Sequence, residues 1–288
     1  MIGRRAVKAH IRDFKQAREA ARRHALEVEV PRLGALALSE FPESPMHTLP
    51  HPVIVTLTSY PARFATLHLT LRSLLLQTVR PDAIALWLTR EDRALVPEKV
   101  TELEALGLKI ETCTELRSYK KIVPALKAWP EAVLIAADDD LYFPQDWLER
   151  LLAAYDGKSV QCHRAHRIRS TWSGRPRPYA DWDRYLTAAT SGSMIFPTSG
   201  GGATYSADLL HEDVTREDLF TELAPTTDDV WLYFMTRLAG RHASKLAGQF
   251  HLIEWPGSQE TNLKGANLYG EGNDKALSAM TRYYGWPR

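Results

Sequence analysis

Two cysteines in 288 residues leave little for covalent stapling. Cys113 and Cys162 each lie in a strand-like run, which argues against a disulfide scaffold and against a cysteine-rich zinc site. A reducing cytosol is the expected setting. Net charge is scarce too: 36 Lys and Arg stand against 35 Asp and Glu, a formal +1. Such a balance gives no global pull towards nucleic acid or anionic membranes, and no nucleic-acid partner is expected. No apolar run approaches the ~18 residues needed to cross a bilayer. The opening MIGRRAVKAHIRDFKQAREAARRH has no apolar core of the kind a secretory signal uses. Internal repeats and low-complexity tracts are missing. Glycine is missing from TSYPARF, the loop after the first strand-like run, so that loop is not a Gly-rich phosphate cradle.

What is present divides into three sections. Residues 1–28 read as a basic helix, with eight Arg and Lys before residue 27 against Asp13 and Glu19. Val7, Ile11, Phe14 and Ala21 give it a thin apolar stripe, compatible with peripheral contact at the inner face of a membrane or with packing on the domain. Residues 29–52 read as a proline-rich linker, with Pro31, Pro42, Pro45, Pro50 and Pro52, because proline breaks ladders and helices alike. Residues 53–288 read as the main domain. PVIVTLTSY, IALWLT, LKIETC and AVLIAA are β-rich runs. LHLTLRSLLLQ, EKVTELEAL, KKIVPALKAW and PQDWLERLLAAY between and after them have helical character, the last with Pro144 near its start. Alternation of apolar strands with helices predicts an α/β fold, its mostly parallel central sheet covered by helices on both faces.

The chemistry begins at AVLIAADDDLYFP. A buried strand runs into Asp138, Asp139 and Asp140, at the strand end where such sheets bind ligands. If extension persists, Asp138 and Asp140 point one way and Asp139 the other. Adjacent carboxylates repel, and burial adds a desolvation cost. A divalent cation offsets both, and oxygen ligands favour Mg²⁺ or Mn²⁺, which also bind substrate phosphates. The competing reading is a solvated acidic turn that caps the next helix.

An Asp-x-Asp motif after an apolar strand, reached through this strand–helix series, resembles the GT-A glycosyltransferases. VTLTSYPARFATLHLTLRSLLLQTVRPDAIALWL is similar to the first βαβ unit of their inverting family 2 type, and the resemblance spans roughly residues 53–255. It implies a GT-A fold and a metal-dependent transfer of a sugar from a nucleotide-diphosphate donor, a UDP-sugar favoured, to a saccharide or lipid-linked acceptor. A bacterial polysaccharide or glycolipid pathway is the implied setting. In that family the loop after the first strand cups the nucleotide, here Thr58, Ser59, Tyr60 and Arg63. Tyr60 could stack on a base, and Arg63 could pair with phosphate. RSYKKIVPAL holds the place of a donor-binding lysine, assigned to Lys121, with Lys120 solvated. The resemblance gives Asp138 the sugar-facing role and Asp140 the metal, with Asp138 as a further metal ligand and Asp139 orienting the loop. Gly201 and Gly202 of SGGGATYS fall where the donor pocket is lined.

LAPTTDDVWLYFMTRLAG opens a helix near Asp229, which Thr226 or Thr227 and Asp228 can cap. Capping accounts for one aspartate and leaves the other over. The resemblance implies a catalytic base here, Asp229 first and Asp228 second, although Asp-Asp stands where the family has Glu-Asp. His251, and less so His242, are candidates to complete a metal shell, against the ordinary reading of a packed histidine. STWSGRPRPYADWDRYLTAATSG, rich in Trp, Tyr and Arg, is where acceptor contacts are expected. Asn273 and Asp274, in a tail that could close over the donor, also suit a cap. Two other readings compete: metal-dependent nucleotidyl or phosphoryl transfer, and a non-catalytic nucleotide-sugar-binding protein of the same fold.

Overall fold

The structure, a computed structural model, describes residues 4–258 and 272–287. The strands are β1 Val53–Thr58, β2 Ala83–Leu88, β3 Leu108–Thr112, β4 Val133–Ala136, β5 Val160–Cys162, β6 Ala165–Arg167, β7 Thr190–Gly192, β8 Ile195–Pro197, β9 Ala203–Tyr205 and β10 Ala243–Lys245. Among the described residues, eight of them form one sheet in the order β3-β2-β1-β4-β9-β5-β10-β7, while β6 and β8 pair separately. The first four are mutually parallel, with Ile54 opposite Ala83, Val53 opposite Val133 and Ile84 opposite Leu108. The fold is therefore α/β with a mixed, mostly parallel sheet. The parallel expectation fails beyond β4, where β9 runs antiparallel to both β4 and β5. Nothing in the apolar run of β4 marks its neighbour's direction, because a strand buried on both faces reads the same beside either partner.

Burial on both faces follows from the alternation in β1. Val53, Val55 and Leu57 pack with Leu67 and Leu71 of the helix Phe64–Leu75 and with Trp147 and Leu151 of the helix Trp147–Ala154. Ile54 joins the opposite core, with Leu134, Tyr205, Phe196, Trp231 and Phe234. Thr56 shares that second face and donates its hydroxyl to the Lys121 carbonyl at 2.6 Å.

Several elements depart from the sequence expectation. EKVTELEAL forms α-helix only over Glu98–Thr101, then tightens to 3₁₀ over Glu102–Leu106 before left-handed Gly107 ends it, as glycine after a helix does. Pro144 lies before its helix rather than in the first turn, and its carbonyl accepts the Trp147 N–H. Within residues 29–52, Val30–Ala35 is helical with Pro31 in its first turn, where a missing N–H costs nothing. Leu33 is fully buried against Leu69, Leu76 and Trp255, and Arg72 donates to the Leu33 and Leu36 carbonyls. The helix Arg4–His24 precedes it, and Arg18 reaches Glu254 at 3.0 Å. The side chains of Val7, Ile11 and Phe14 lie outside the described residues, as does the tail 259–271. Among the described residues no helix is long and apolar enough to cross a membrane.

Candidate active site

Beyond the carboxyl ends of β1 and β4 lies a cavity of about 840 Å³. Its lining includes Thr58, Ser59, Tyr60, Arg63, Lys121, Asp138, Asp139, Asp140, Gly201, Asp228 and Asp229. Sequence positions 58 to 229 thus meet in one space.

The three aspartates do not alternate. After Asp138 the chain turns at Asp139 and Asp140, so the period of two is lost. Asp139 and Asp140 both face Arg63, at 3.3 and 2.5 Å, and Ser59 also donates to Asp139. Asp138 faces Lys121 instead, at 3.0 Å. The turn is clamped from behind. Thr70 donates to the Asp139 carbonyl, Trp255 donates its indole N–H to the Thr70 hydroxyl, and the Trp255 amide donates to the Asp140 carbonyl. Burial and the Asp140 charge push the Asp139 carboxyl up to about 7. Asp140 is raised as well, by burial and by Asp138. Burial opposes the charge on Lys121, yet Asp138, Asp228 and Asp229 together hold its proton far more firmly than usual.

Lys121 also reaches Asp228 at 2.9 Å. One ammonium therefore joins the aspartate loop to the first turn of the helix Asp228–Leu238. Thr227, at the N-cap position, makes no side-chain cap, and both aspartates line the cavity. Asp229 accepts from the backbone N–H and from the hydroxyl of Ser199. Burial, then the Asp228 charge, lift its carboxyl to about 6. The helix N-terminus offsets part of the cost of two adjacent carboxylates.

The glycines of SGGG are explained by close approach. A Cβ on Gly200 would lie 1.8 Å from Asp138 Oδ2, and one on Gly202, at φ +112°, would lie 2.4 Å from the Trp147 indole nitrogen. Gly200 accepts the Asp138 N–H, and Gly201 accepts from the Trp147 indole. Gly202 itself is not among the lining residues.

Other expected residues have partners of their own. The Thr58 hydroxyl donates to the Trp87 carbonyl at 2.8 Å. Tyr60 lies under Arg63, whose guanidinium stands 5.6 Å from its ring centre. Lys120 is not solvated: it is 3% exposed and paired with Glu115 at 2.9 Å. His251 does not line the cavity; burial and Arg18 lower its proton affinity. The His242 carbonyl accepts the Val160 N–H.

No described group of three His, Cys, Asp or Glu converges as a metal cage. The carboxylates of Asp138, Asp139, Asp140, Asp228 and Asp229 nonetheless outnumber Arg63 and Lys121, and the Asp138 side chain is 43% exposed. Such a donor set fits a Mg²⁺ or Mn²⁺ ion held by one or two carboxylates and by substrate phosphate.

No protein-family model and no curated protein matches the sequence. Among solved structures the chain is similar to 4-diphosphocytidyl-2C-methyl-D-erythritol synthase from Anaerococcus prevotii, with 14% identity, TM-score 0.48, and 77% of this chain covering 96% of that one. It is also similar to S. aureus TarS residues 1–349 in complex with UDP-GlcNAc, with 14% identity, TM-score 0.47, and 82% of this chain covering 74% of that one. A CMP:2-keto-3-deoxy-manno-octonic acid synthetase complexed with CTP follows, at 12% identity, TM-score 0.41, with 76% and 99% coverage. These are likenesses of overall arrangement.

The sequence reading missed several lining residues. Glu115, Arg117, Arg164, His166 and Thr198 carry no motif. Tyr179, Arg184 and Tyr185 lie in the segment expected to meet an acceptor, and Asn273, already named from the sequence, also lines the cavity. Arg117 and Tyr185 are the non-glycine residues with positive φ among those described, at 54° and 59°. Both line the cavity, and strained backbone of this kind clusters at functional sites.

Proposed function

We propose that the protein is an inverting glycosyltransferase that uses a nucleotide-diphosphate sugar, a UDP-sugar favoured. The observation that carries this reading is the shared ammonium: Lys121 binds Asp138 and Asp228 across one cavity, with Asp229 beside it. An Asp-x-Asp loop and an acidic pair 90 positions later are the pieces that the family resemblance assigns to donor and base.

The roles follow from chemistry. Asp138 and Asp140 are the residues to hold Mg²⁺ or Mn²⁺, which when bound supplies positive charge to a departing nucleoside diphosphate. Lys121 adds a fixed positive charge beside them. Asp229 is the base. Ser199 fixes one of its oxygens, and the carboxylate takes the proton of an acceptor hydroxyl. That oxygen attacks the anomeric carbon from the face opposite the nucleotide, the glycosidic bond to the diphosphate breaks, and the configuration inverts. Positioning supplies the remaining acceleration.

The test is calorimetric titration of UDP with and without Mn²⁺, on wild type and Asp140→Ala. Mn²⁺-dependent binding that the variant loses is the expected result. Binding indifferent to both would remove the donor site. Product analysis separates the competing chemistries: sugar transfer releases UDP from a UDP-sugar, whereas nucleotidyl transfer releases pyrophosphate from a nucleoside triphosphate. A non-catalytic binding protein would release neither.

A further inference from the structure

The cavity has a second charged region, reached from Asp229 through Ser199 and Thr198. Arg164 donates to the Thr198 hydroxyl at 2.7 Å, and the next residue, Ser199, holds Asp229. The Arg164 guanidinium lies 5.3 Å from the Tyr185 ring centre, and that of Arg184 lies 5.5 Å from the Tyr179 ring centre. All four side chains line the cavity. His166 stands edge-on to both tyrosines, at 5.8 and 5.7 Å. Burial, then Arg164, keeps it neutral, so it brings no competing charge.

Neither guanidinium has a carboxylate partner among the described residues. The contrast with the donor end is sharp, since Arg63 and Lys121 there are each shared between two aspartates. Asp183, the carboxylate next to Arg184 in the chain, is taken by Arg169 at 3.1 Å. Arg184 Nε is shielded from solvent with no hydrogen-bond partner. A ring face satisfies the plane of a guanidinium but none of its five N–H donors. Sheltering such a group without an acceptor is costly. Packing alone would explain an arginine laid on a tyrosine. It does not explain two of them facing one cavity, Arg164 with a lone hydroxyl as its side-chain acceptor and Arg184 Nε with none.

We infer that Arg164 and Arg184 form an oxyanion subsite for the acceptor, which presents a carboxylate or phosphate group to them and a hydroxyl to Asp229. Two guanidinium forks match the planar or tetrahedral oxygens of such a group bidentately. The tyrosine faces beside them suit the apolar face of a sugar ring. The group belongs to the acceptor because Arg164 binds Thr198, the neighbour of the residue that holds Asp229, and the Asp229 charge reaches Tyr179, on whose ring Arg184 lies. This inference rests on the glycosyltransferase reading for the word acceptor, but the subsite itself does not.

Its test uses the full chain and three probes: glucose 6-phosphate, glucuronate and methyl β-glucoside. Each is titrated with and without saturating UDP and Mn²⁺, following the arginine Nε–H NMR signals. Both anions, or one of them, should bind about tenfold or more tightly than the neutral glucoside, roughly 1.4 kcal/mol, and should shift the Arg164 and Arg184 signals. The stronger anion identifies the source, phosphate or carboxylate. Arg164→Ala and Arg184→Ala should reduce the anions to the level of the glucoside while UDP affinity stays within about twofold. Arg184→Lys, which keeps charge without the fork, should retain part of the preference and guards against a variant that fails to fold. Equal binding of charged and neutral probes would overturn the subsite, as would a preference that survives in both alanine variants. If UDP does not bind but the anion preference stands, the donor reading has failed and the subsite has not.

Discussion

In the proposed reaction Asp229 is the base, and its surroundings suit a carboxylate to proton transfer. Two donors from Ser199 converge on one of its oxygens, which leaves the other for an incoming hydroxyl. Burial and Asp228 raise it from 3.8 to about 6, closer to neutrality, where a base works best. The sign is definite. Below that value Asp229 carries a proton and cannot accept another, so kcat/KM should rise as pH increases through about 6 and then level. Ser199→Ala removes a donor that favours the charged form, and the limb should move to higher pH. Asp229→Asn should lower turnover by ~10²–10⁴ while UDP still binds. Asp228→Asn should act differently: it strips a partner from Lys121 and should weaken UDP binding as well. Initial rates across the pH range, with UDP titrations of each variant, check all of these. Wild-type turnover in Asp229→Asn would sink the assignment. At this scale the sequence picked out residues that the fold brings to one cavity and was poor at who faces whom. Asp-Asp-Asp stood out, but its turn and the sharing of Arg63 depend on Ser59, Thr70 and Trp255, which lie far apart in the chain.

The SGGG turn illustrates the next scale. Three adjacent glycines could have been a flexible hinge. They are instead required by what lies against them: the Asp138 carboxylate at Gly200 and the Trp147 indole at Gly202. The two should respond differently to a methyl group. Gly202→Ala meets both a positive φ and a buried indole, so stability should fall by about 1–3 kcal/mol, read from the urea midpoint. At Gly200 the obstacle is a half-exposed side chain that can swing away, so Gly200→Ala should fold nearly as well but bind UDP more weakly. Equal stability losses would mean that Asp138 is as fixed as Trp147. The first four strands and the helices Phe64–Leu75, Trp147–Ala154 and Asp228–Leu238 were legible because apolar periodicity and β-branched runs are local signals. The docking of Val30–Ala35 was not. A proline-rich stretch looks like a linker until Leu33 finds Leu69 and Trp255, and no local pattern announces such a partner.

For the whole molecule, the parallel half of the sheet follows from strand–helix alternation, and so does the location of the cavity at its strand ends. The mixed half does not, since β9 returns between β4 and β5 after a long excursion through short elements. That excursion carries the unshared arginines into the same cavity as the crowded aspartates. This mixture of charges has a kinetic consequence. Glu115, Asp138, Asp139, Asp140, Asp228 and Asp229 share the lining with Arg63, Arg117, Lys120, Lys121, Arg164 and Arg184, so the cavity as a whole presents little net field to a distant anion. Screening shortens the reach of such a field from ~30 Å at 0.01 M salt to ~10 Å at 0.1 M, but here there is little for it to screen. Without Mn²⁺, stopped-flow association of UDP should therefore change by less than about threefold over that range, where electrostatic steering would give a steep fall. A steep slope of either sign would mean that one set of charges dominates the approach. A cavity of this kind tells anions apart at contact, not at a distance.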